Sequence, residues 1–190
     1  AIAEMQKNNA SMAAEVALNV RGDNLDKVLQ TLKQARPSAV LLATAGTPSL
    51  DMVRGIKQQL PGVLMAGLSV TLHGLKLDRA ASGVAVTTIV PDPDKGKSPV
   101  VRDYQAAMRA IGHQEFSPAS LEAYINARVL IDGLRRVGKD PAPIRLRAAL
   151  ASIRNFDLGG FVVDYGGQPP FVGSRYIDLG VLGSNGRFVG

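Results

Sequence analysis

Residues 83–138 read GVAVTTIVPDPDKGKSPVVRDYQAAMRAIGHQEFSPASLEAYINARVLIDGLRRVG. The stretch opens on an apolar run, 84–90, that stops at Pro91-Asp92-Pro93. Proline fixes its own φ, lacks an N–H and restricts the residue before it, so a strand ends there. Ser98-Pro99 and Ser117-Pro118 then each start a helix. In both, a hydroxyl able to accept from a free amide is followed by a proline suited to the first helical turn. Gly112 and Gly138 follow the two helix ends, the usual place for a left-handed cap.

Outward from this stretch, strand-like and helix-like segments alternate. Upstream, 2–8 reads as a helix and 15–20 as a short strand. Gly22-Asp23-Asn24 is a turn in which Asp23 or Asn24 can cap the next helix. Leu25, Val28, Leu29 and Leu32 recur at helical spacing, and Pro37 ends that helix. Residues 39–43 are continuously apolar, the mark of a strand buried on both faces of a parallel sheet. Thr47-Pro48 starts a helix that runs to the neighbourhood of Leu60 and stops at Pro61-Gly62; 63–66 is the next strand. Pro143 opens a further helix reaching toward Ile153. From Phe156 onward, Gly159-Gly160, Gly166-Gly167, Pro169-Pro170 and Ser184-Asn185-Gly186 punctuate short β runs. The expected class is α/β: a parallel sheet flanked by helices, with antiparallel strands near the C-terminal end.

Composition narrows the function. Of 190 residues, 46% are hydrophobic and 20% charged, an ordinary globular mixture able to bury a sizeable core in one domain or two small ones. No apolar run approaches the ~20 residues of a membrane helix. The absence of cysteine rules out disulfides and thiolate metal sites. The net charge of +6 could attract nucleic acid, but Arg21, Lys33, Lys57, Arg79, Lys95, Arg109 and Arg128 are scattered. The denser runs 134–136 and 144–147 sit among acidic and apolar residues, the pattern of solvated faces. A nucleic-acid partner is not expected.

The chain carries no nucleophile elbow, zinc motif, phosphate-cradling loop or dinucleotide fingerprint. Gly159-Gly160 precedes a strand rather than a helix and reads as a turn, not a phosphate cradle. His113 follows a helix end and reads as an exposed loop residue. His73 follows a strand end, where sites occur, and is a ligand candidate. No catalytic residue, metal or cofactor is expected. In open α/β sheets ligands sit beyond the carboxyl ends of the parallel strands. Those ends are 44–47, 67–70 and 89–91. Ala45 and Gly46 are small enough for close backbone approach. Thr47 either caps its helix or exposes a hydroxyl beside free amides that favour a carboxylate. Ser69 is placed similarly.

The ordered series resembles type I periplasmic solute-binding proteins of the branched-chain-amino-acid branch, also described as extracellular ligand-binding receptors. RPSAVLLATAGTPSLDMVRGIKQQL resembles the family's strand, small-residue turn and helix, and VLMAGLSVTLHGLKL its next strand and ligand-facing loop. LRAALASIRNFDLGGFVVDYGG resembles the late helix and F-D-L-G-G turn, and SRYIDLGVLGSNGRFV the closing strands. The resemblance implies capture of a small solute by hinge closure, no catalysis, and docking on ABC permease subunits. A ligand-sensing module of a regulatory protein is the alternative, and an enzyme on a flavodoxin-like sheet a third. It also implies a periplasmic or extracellular, membrane-anchored location.

Family members are roughly twice this length. The expectation is therefore that the chain is their C-terminal half, the signal peptide lying in the other half. Residues 1–90 would form most of the second lobe, 91–153 would return to the first, and 154–190 would cross the hinge again. The resemblance adds Val70 and Thr71 to the ligand-facing candidates Ala45, Gly46, Thr47, Ser69 and His73. It makes Val90, Pro91, Asp92 and Pro93 the hinge, a reading compatible with a plain strand-ending turn. Glu122 and Tyr124 match common family residues, with Tyr124 expected to pack and Glu122 to favour the helix N-terminus. Several members grip an ammonium group with an acidic residue from this lobe, yet 44–49 and 67–75 hold none. A carboxylate ligand without an ammonium group is then in view beside amino acids. A half-lobe would expose an apolar face, so self-association of such a piece is expected.

Overall fold

The computed structural model describes residues 2–72, 79–184 and 188–189. The chain forms two compact units: one holds the residues up to Thr88 and those from Leu179 on, the other Ile89–Asp178. It therefore passes between units twice, at 88/89 and at 178/179.

The first unit is built on a sheet ordered β1-β2-β3-β6-β7. Strands β1 (Ala39–Leu42), β2 (Leu64–Gly67) and β3 (Ala85–Thr88) are parallel neighbours, in the register Val40↔Met65, Leu42↔Gly67 and Gly67↔Val86. Strands β6 (Asp178–Leu182) and β7 (Phe188–Val189) close it as an antiparallel pair. Helix α1 (Ile2–Lys7) precedes α2 (Leu25–Ala35), and α3 (Thr47–Gln59) joins β1 to β2. The core gathers Val28, Leu29 and Leu32 of α2, Val53 and Ile56 of α3, and the strand residues Leu42, Met65, Val86 and Leu182. Gly55 of α3 lies against Leu29; a Cβ there would fall 2.5 Å from Leu29 Cδ1.

Several local expectations are corrected. Residues 15–20 form no strand. The Asn24 side chain takes up backbone groups that a ladder would need: Oδ1 accepts from Asn19 N–H at 2.8 Å, and Nδ2 donates to the Ala17 carbonyl at 2.8 Å. Asn24 is thereby diverted from capping α2, whose N-cap position it occupies without a side-chain bond. Val16 and Leu18 still pack on the core. At α3 the N-cap is Gly46, with φ 76°, so Thr47 is the first helical residue and does not cap. The strand at 39–42 is buried on one face only: Leu42 is buried, whereas Leu41 is 59% exposed. The helices whose residues enter the core lie against the Leu42 face, leaving its neighbour to solvent.

The second unit consists of α4 (Pro99–Ala110), α5 (Pro118–Val137), α6 (Pro143–Ala151) and an antiparallel pair, β4 (Phe156–Asp157) with β5 (Val162–Val163). Ser117 caps α5 in a full capping box with Ser120. Ser98 stands at the α4 N-cap without such a bond; the Val100 N–H donates to the Gly159 carbonyl at 3.0 Å instead. The Gly159-Gly160 turn is held by Asp157 Oδ1, which accepts both glycine amides at 2.8 and 2.7 Å. Tyr104 centres the core, fully buried, with its hydroxyl 2.5 Å from Ser120 Oγ and its ring edge-on to Phe116 and Tyr124. Among the described residues, no helix is long and apolar enough to cross a membrane.

Candidate functional site

The carboxyl ends of β1 and β2 continue into two loops, 43–46 and 68–72, that open side by side on the first unit. Right-handed βαβ crossover places the start of α3 at the same edge, because that helix begins directly after the β1 loop. Ala45, Gly46 and Thr47 are all exposed there. Thr47 has no capping bond, so its hydroxyl stands beside the helix start. The positive end of the α3 dipole, about half a unit charge, points to that edge.

Beneath the exposed rim lies a set of ties that the sequence did not announce. Ser49 is fully buried, and its hydroxyl donates to Thr44 Oγ1 at 2.9 Å, drawing the loop onto the first turn of α3. Thr71 is also fully buried. Its Oγ1 donates to the Leu42 carbonyl at 3.0 Å and accepts from the Leu68 N–H at 3.0 Å. One hydroxyl thus joins the last residue of β1 to the loop after β2. Its methyl packs where Gly67 has no side chain; a Cβ on Gly67 would lie 3.0 Å from Thr71 Cβ. Of the loop candidates, Ser69 is half-buried and Val70 exposed, while Thr71 faces inward as a positioning residue. His73 lies outside the described residues. A buried Thr four residues after a strand glycine is not a pattern that spacing alone would flag.

Asp51 stays one turn inside α3, where its carboxylate pairs with Arg54 at 3.3 Å. No acidic group among the described residues of these two loops is available for an ammonium. No group of histidine and carboxylate side chains able to hold a metal occurs among the described residues.

In the second unit, Val90 and Pro91 are buried and Asp92 is exposed. Asp92 Oδ1 accepts from the Asp94 and Lys95 amides at 2.8 and 2.9 Å, and its carbonyl accepts from Gly96 at 3.0 Å. The proline turn is thus braced rather than loose. His113 is exposed. Tyr124 packs on Tyr104, and Arg128 donates to its hydroxyl at 2.9 Å. A wide furrow of about 590 Å³ follows the hairpin from Gly160 to Tyr176, with Asp164, Gln168 and Arg175 among its walls. Sequence reading saw only turns there. Asp164 is held below its usual carboxylate pKa, first by the Gly166 amide at 2.5 Å, then by the Asn155 amide.

A family profile described as periplasmic binding protein matches residues 1–170. The chain belongs to the periplasmic binding protein family. Among solved structures, this family member is similar to a substrate-binding periplasmic protein from Ralstonia solanacearum, at 26% identity and TM-score 0.83, covering 99% of this chain and 55% of that one. It shares its fold with an ABC transporter substrate-binding protein from Aeropyrum pernix (16% identity, TM-score 0.78, 99% and 53% covered). A branched-chain amino acid ABC transporter protein from Thermus thermophilus with bound valine has the same fold (18% identity, TM-score 0.67, 97% and 53% covered). The chain spans about half the length of each of these periplasmic binding proteins. No curated protein matches the sequence.

Proposed function

We propose that the chain is one part of the solute-gripping machinery of an ABC-transporter receptor, which takes up a small carboxylate-bearing solute and passes it to permease subunits in the periplasmic or extracellular space. The observation that carries this is the family profile over residues 1–170 together with two strand-end loops that present small or hydroxyl residues beside a helix start. Ala45, Gly46, Thr47, Ser69 and Val70 are the residues assigned to the solute. Thr71 positions them from below. The two compact units are assigned to the two lobes, residues up to 88 and from 179 on to one and 89–178 to the other. Bending is assigned to the bonds flanking Pro91-Asp92-Pro93, because the braced turn itself resists it. The protein binds and releases without turnover.

The Thermus relative holds valine, an amino acid with an ammonium group. The two loops here carry no carboxylate to meet one. The solute class is therefore a carboxylate in which any ammonium group is served from elsewhere or is missing. Organic acids and branched-chain amino acids form the decisive panel. A ligand at a hundredfold excess over its Kd stabilises the folded state by about 2.7 kcal/mol, enough for a clear rise in Tm. A shift for one carboxylate class, lost in Thr47→Glu with the unliganded Tm unchanged, is the expected result. No shift with any solute from a cooperatively melting protein defeats the transport reading and favours a sensor with another ligand.

A further inference from the structure

The furrow of the second unit has no part in the machinery assigned above. It follows the hairpin from Gly160 to Tyr176 and shares no residue with the strand-end loops. Its volume of about 590 Å³ is that of a small-molecule site. Two kinds of surface line it. Val162, Pro170 and Val172 supply aliphatic contact, Val172 being 61% exposed and Val162 48%. Phe161 and Tyr176, whose rings pair at 5.8 Å, add aromatic surface.

The polar groups of the furrow are not equivalent. Asp164 is already engaged: Oδ1 accepts from the Gly166 N–H at 2.5 Å, Oδ2 accepts from the Asn155 N–H at 3.0 Å, and Arg154 lies beside it. Ser174 Oγ accepts from the Tyr176 N–H at 3.1 Å, and the Tyr176 hydroxyl donates to Asp178 at 3.4 Å. Arg175 and Gln168 are exposed, and among the described residues their side chains meet no hydrogen-bond or ion-pair partner. The N–H groups of Gly167 and Gln168 have no acceptor there either. The furrow therefore offers donors and one positive charge, while its one carboxylate is satisfied from within.

We propose that this furrow is a second small-molecule site, for a carboxylate with a flat apolar body of the aryl-carboxylate class. The Arg175 guanidinium takes the carboxylate through two parallel N–H bonds, and Gln168 adds a further donor. The apolar body lies on the surface of Val162, Pro170 and Val172. This inference is independent of the transport reading, because the furrow and the strand-end loops belong to different units.

The probe is para-fluorobenzoate, with para-fluorobenzamide as its neutral counterpart, and binding is read by ligand-observed fluorine NMR. All measurements use the protein carrying Thr47→Glu, so that carboxylate capture at the strand-end rim does not contribute. The benzoate should bind with a Kd of about 1 mM, and the benzamide at least about tenfold more weakly. Adding Arg175→Ala should weaken the benzoate at least about tenfold. Arg175→Lys should fall between, because it keeps the charge and loses the fork. Arg175 makes no bond within the fold, so both variants should keep the parent Tm. No benzoate binding at several millimolar overturns the proposal. So does equal affinity for the benzamide, or benzoate affinity unchanged by Arg175→Ala.

Discussion

Thr71→Val tests whether one buried hydroxyl sets the spacing of the two loops. Valine matches threonine in volume, so no cavity opens. What disappears is the donation to the Leu42 carbonyl and the acceptance from the Leu68 N–H, both at 3.0 Å. Leu42 O and Leu68 N retain only their mutual 3.4 Å bond. A lost intramolecular hydrogen bond costs about 0.5–1.5 kcal/mol, and a buried group left short of a partner costs about 1–3. With the surviving bond as partial relief, the net loss is about 2 kcal/mol. For a domain of this size that lowers Tm by about 4–8 °C. Thr71→Ser keeps the hydroxyl and gives up a methyl, worth about 1 kcal/mol. Urea unfolding of the native protein should rank wild type above serine and serine above valine. Hydrogen exchange at the Leu68 amide should quicken in valine alone. A valine variant as stable as wild type, or more stable than serine, refutes the tie.

Gly55→Ala sets two terms against each other. Alanine gains up to about 1 kcal/mol of helix propensity, while overpacking against Leu29 costs about 1–3. Because Leu29 is buried and cannot swing into solvent, the urea midpoint should fall; a rise refutes the packing. The Asp164 carboxylate is favoured in the fold, so its contribution is present above its ordinary pKa of 3.8 and fades as pH drops through a lower folded value. A carboxyl titration by NMR should show a midpoint below 3.8, and a midpoint at or above it contradicts the amide contacts. Tyr176 runs the other way: burial first, then Asp178 and Asp92, raise its pKa above 10.0. Its contribution is whole below pH 10.0 and is lost as pH climbs through the folded value, so Tyr176→Phe should flatten the alkaline fall in stability.

The order of strands and helices was legible because the signals were local and redundant. Pro61-Gly62 follows the end of α3 and Ser117-Pro118 starts α5 with a working capping box, whereas β3 stops at Thr88, three residues before Pro91. Where a single side chain had two possible partners, the sequence could not choose. Asn24 reads as a cap, but its amide serves Asn19 and Ala17 instead. Ser98 has the same dipeptide as Ser117, yet the Gly159 carbonyl reaches the Val100 amide of α4 from far downstream in the chain. Such contacts depend on tertiary placement and leave no trace in spacing.

The loops at the strand ends were legible for a different reason: topology alone fixes where a parallel sheet presents its ligand edge. Which residues face outward there was not, and Thr71 shows why. A threonine directly after the half-buried Ser69 and the exposed Val70 looks like part of the rim, but Gly67 leaves a hole beneath the sheet end and the Leu42 carbonyl needs a donor. Threonine fits both with one side chain, methyl into the hole and hydroxyl to the carbonyl. The same economy explains Ser49, which is buried yet hydrogen-bonded to Thr44. Both loops therefore rest on hydroxyls turned inward, and the groups left for a solute are mainly backbone, small side chains and Thr47. Under the proposed function, a rim of that kind would grip by shape and by the helix dipole rather than by a fixed counter-charge. Affinity for a carboxylate should accordingly depend more on the position of the loops than on any single rim side chain, so Thr71→Val is expected to weaken binding more than Ser69→Ala.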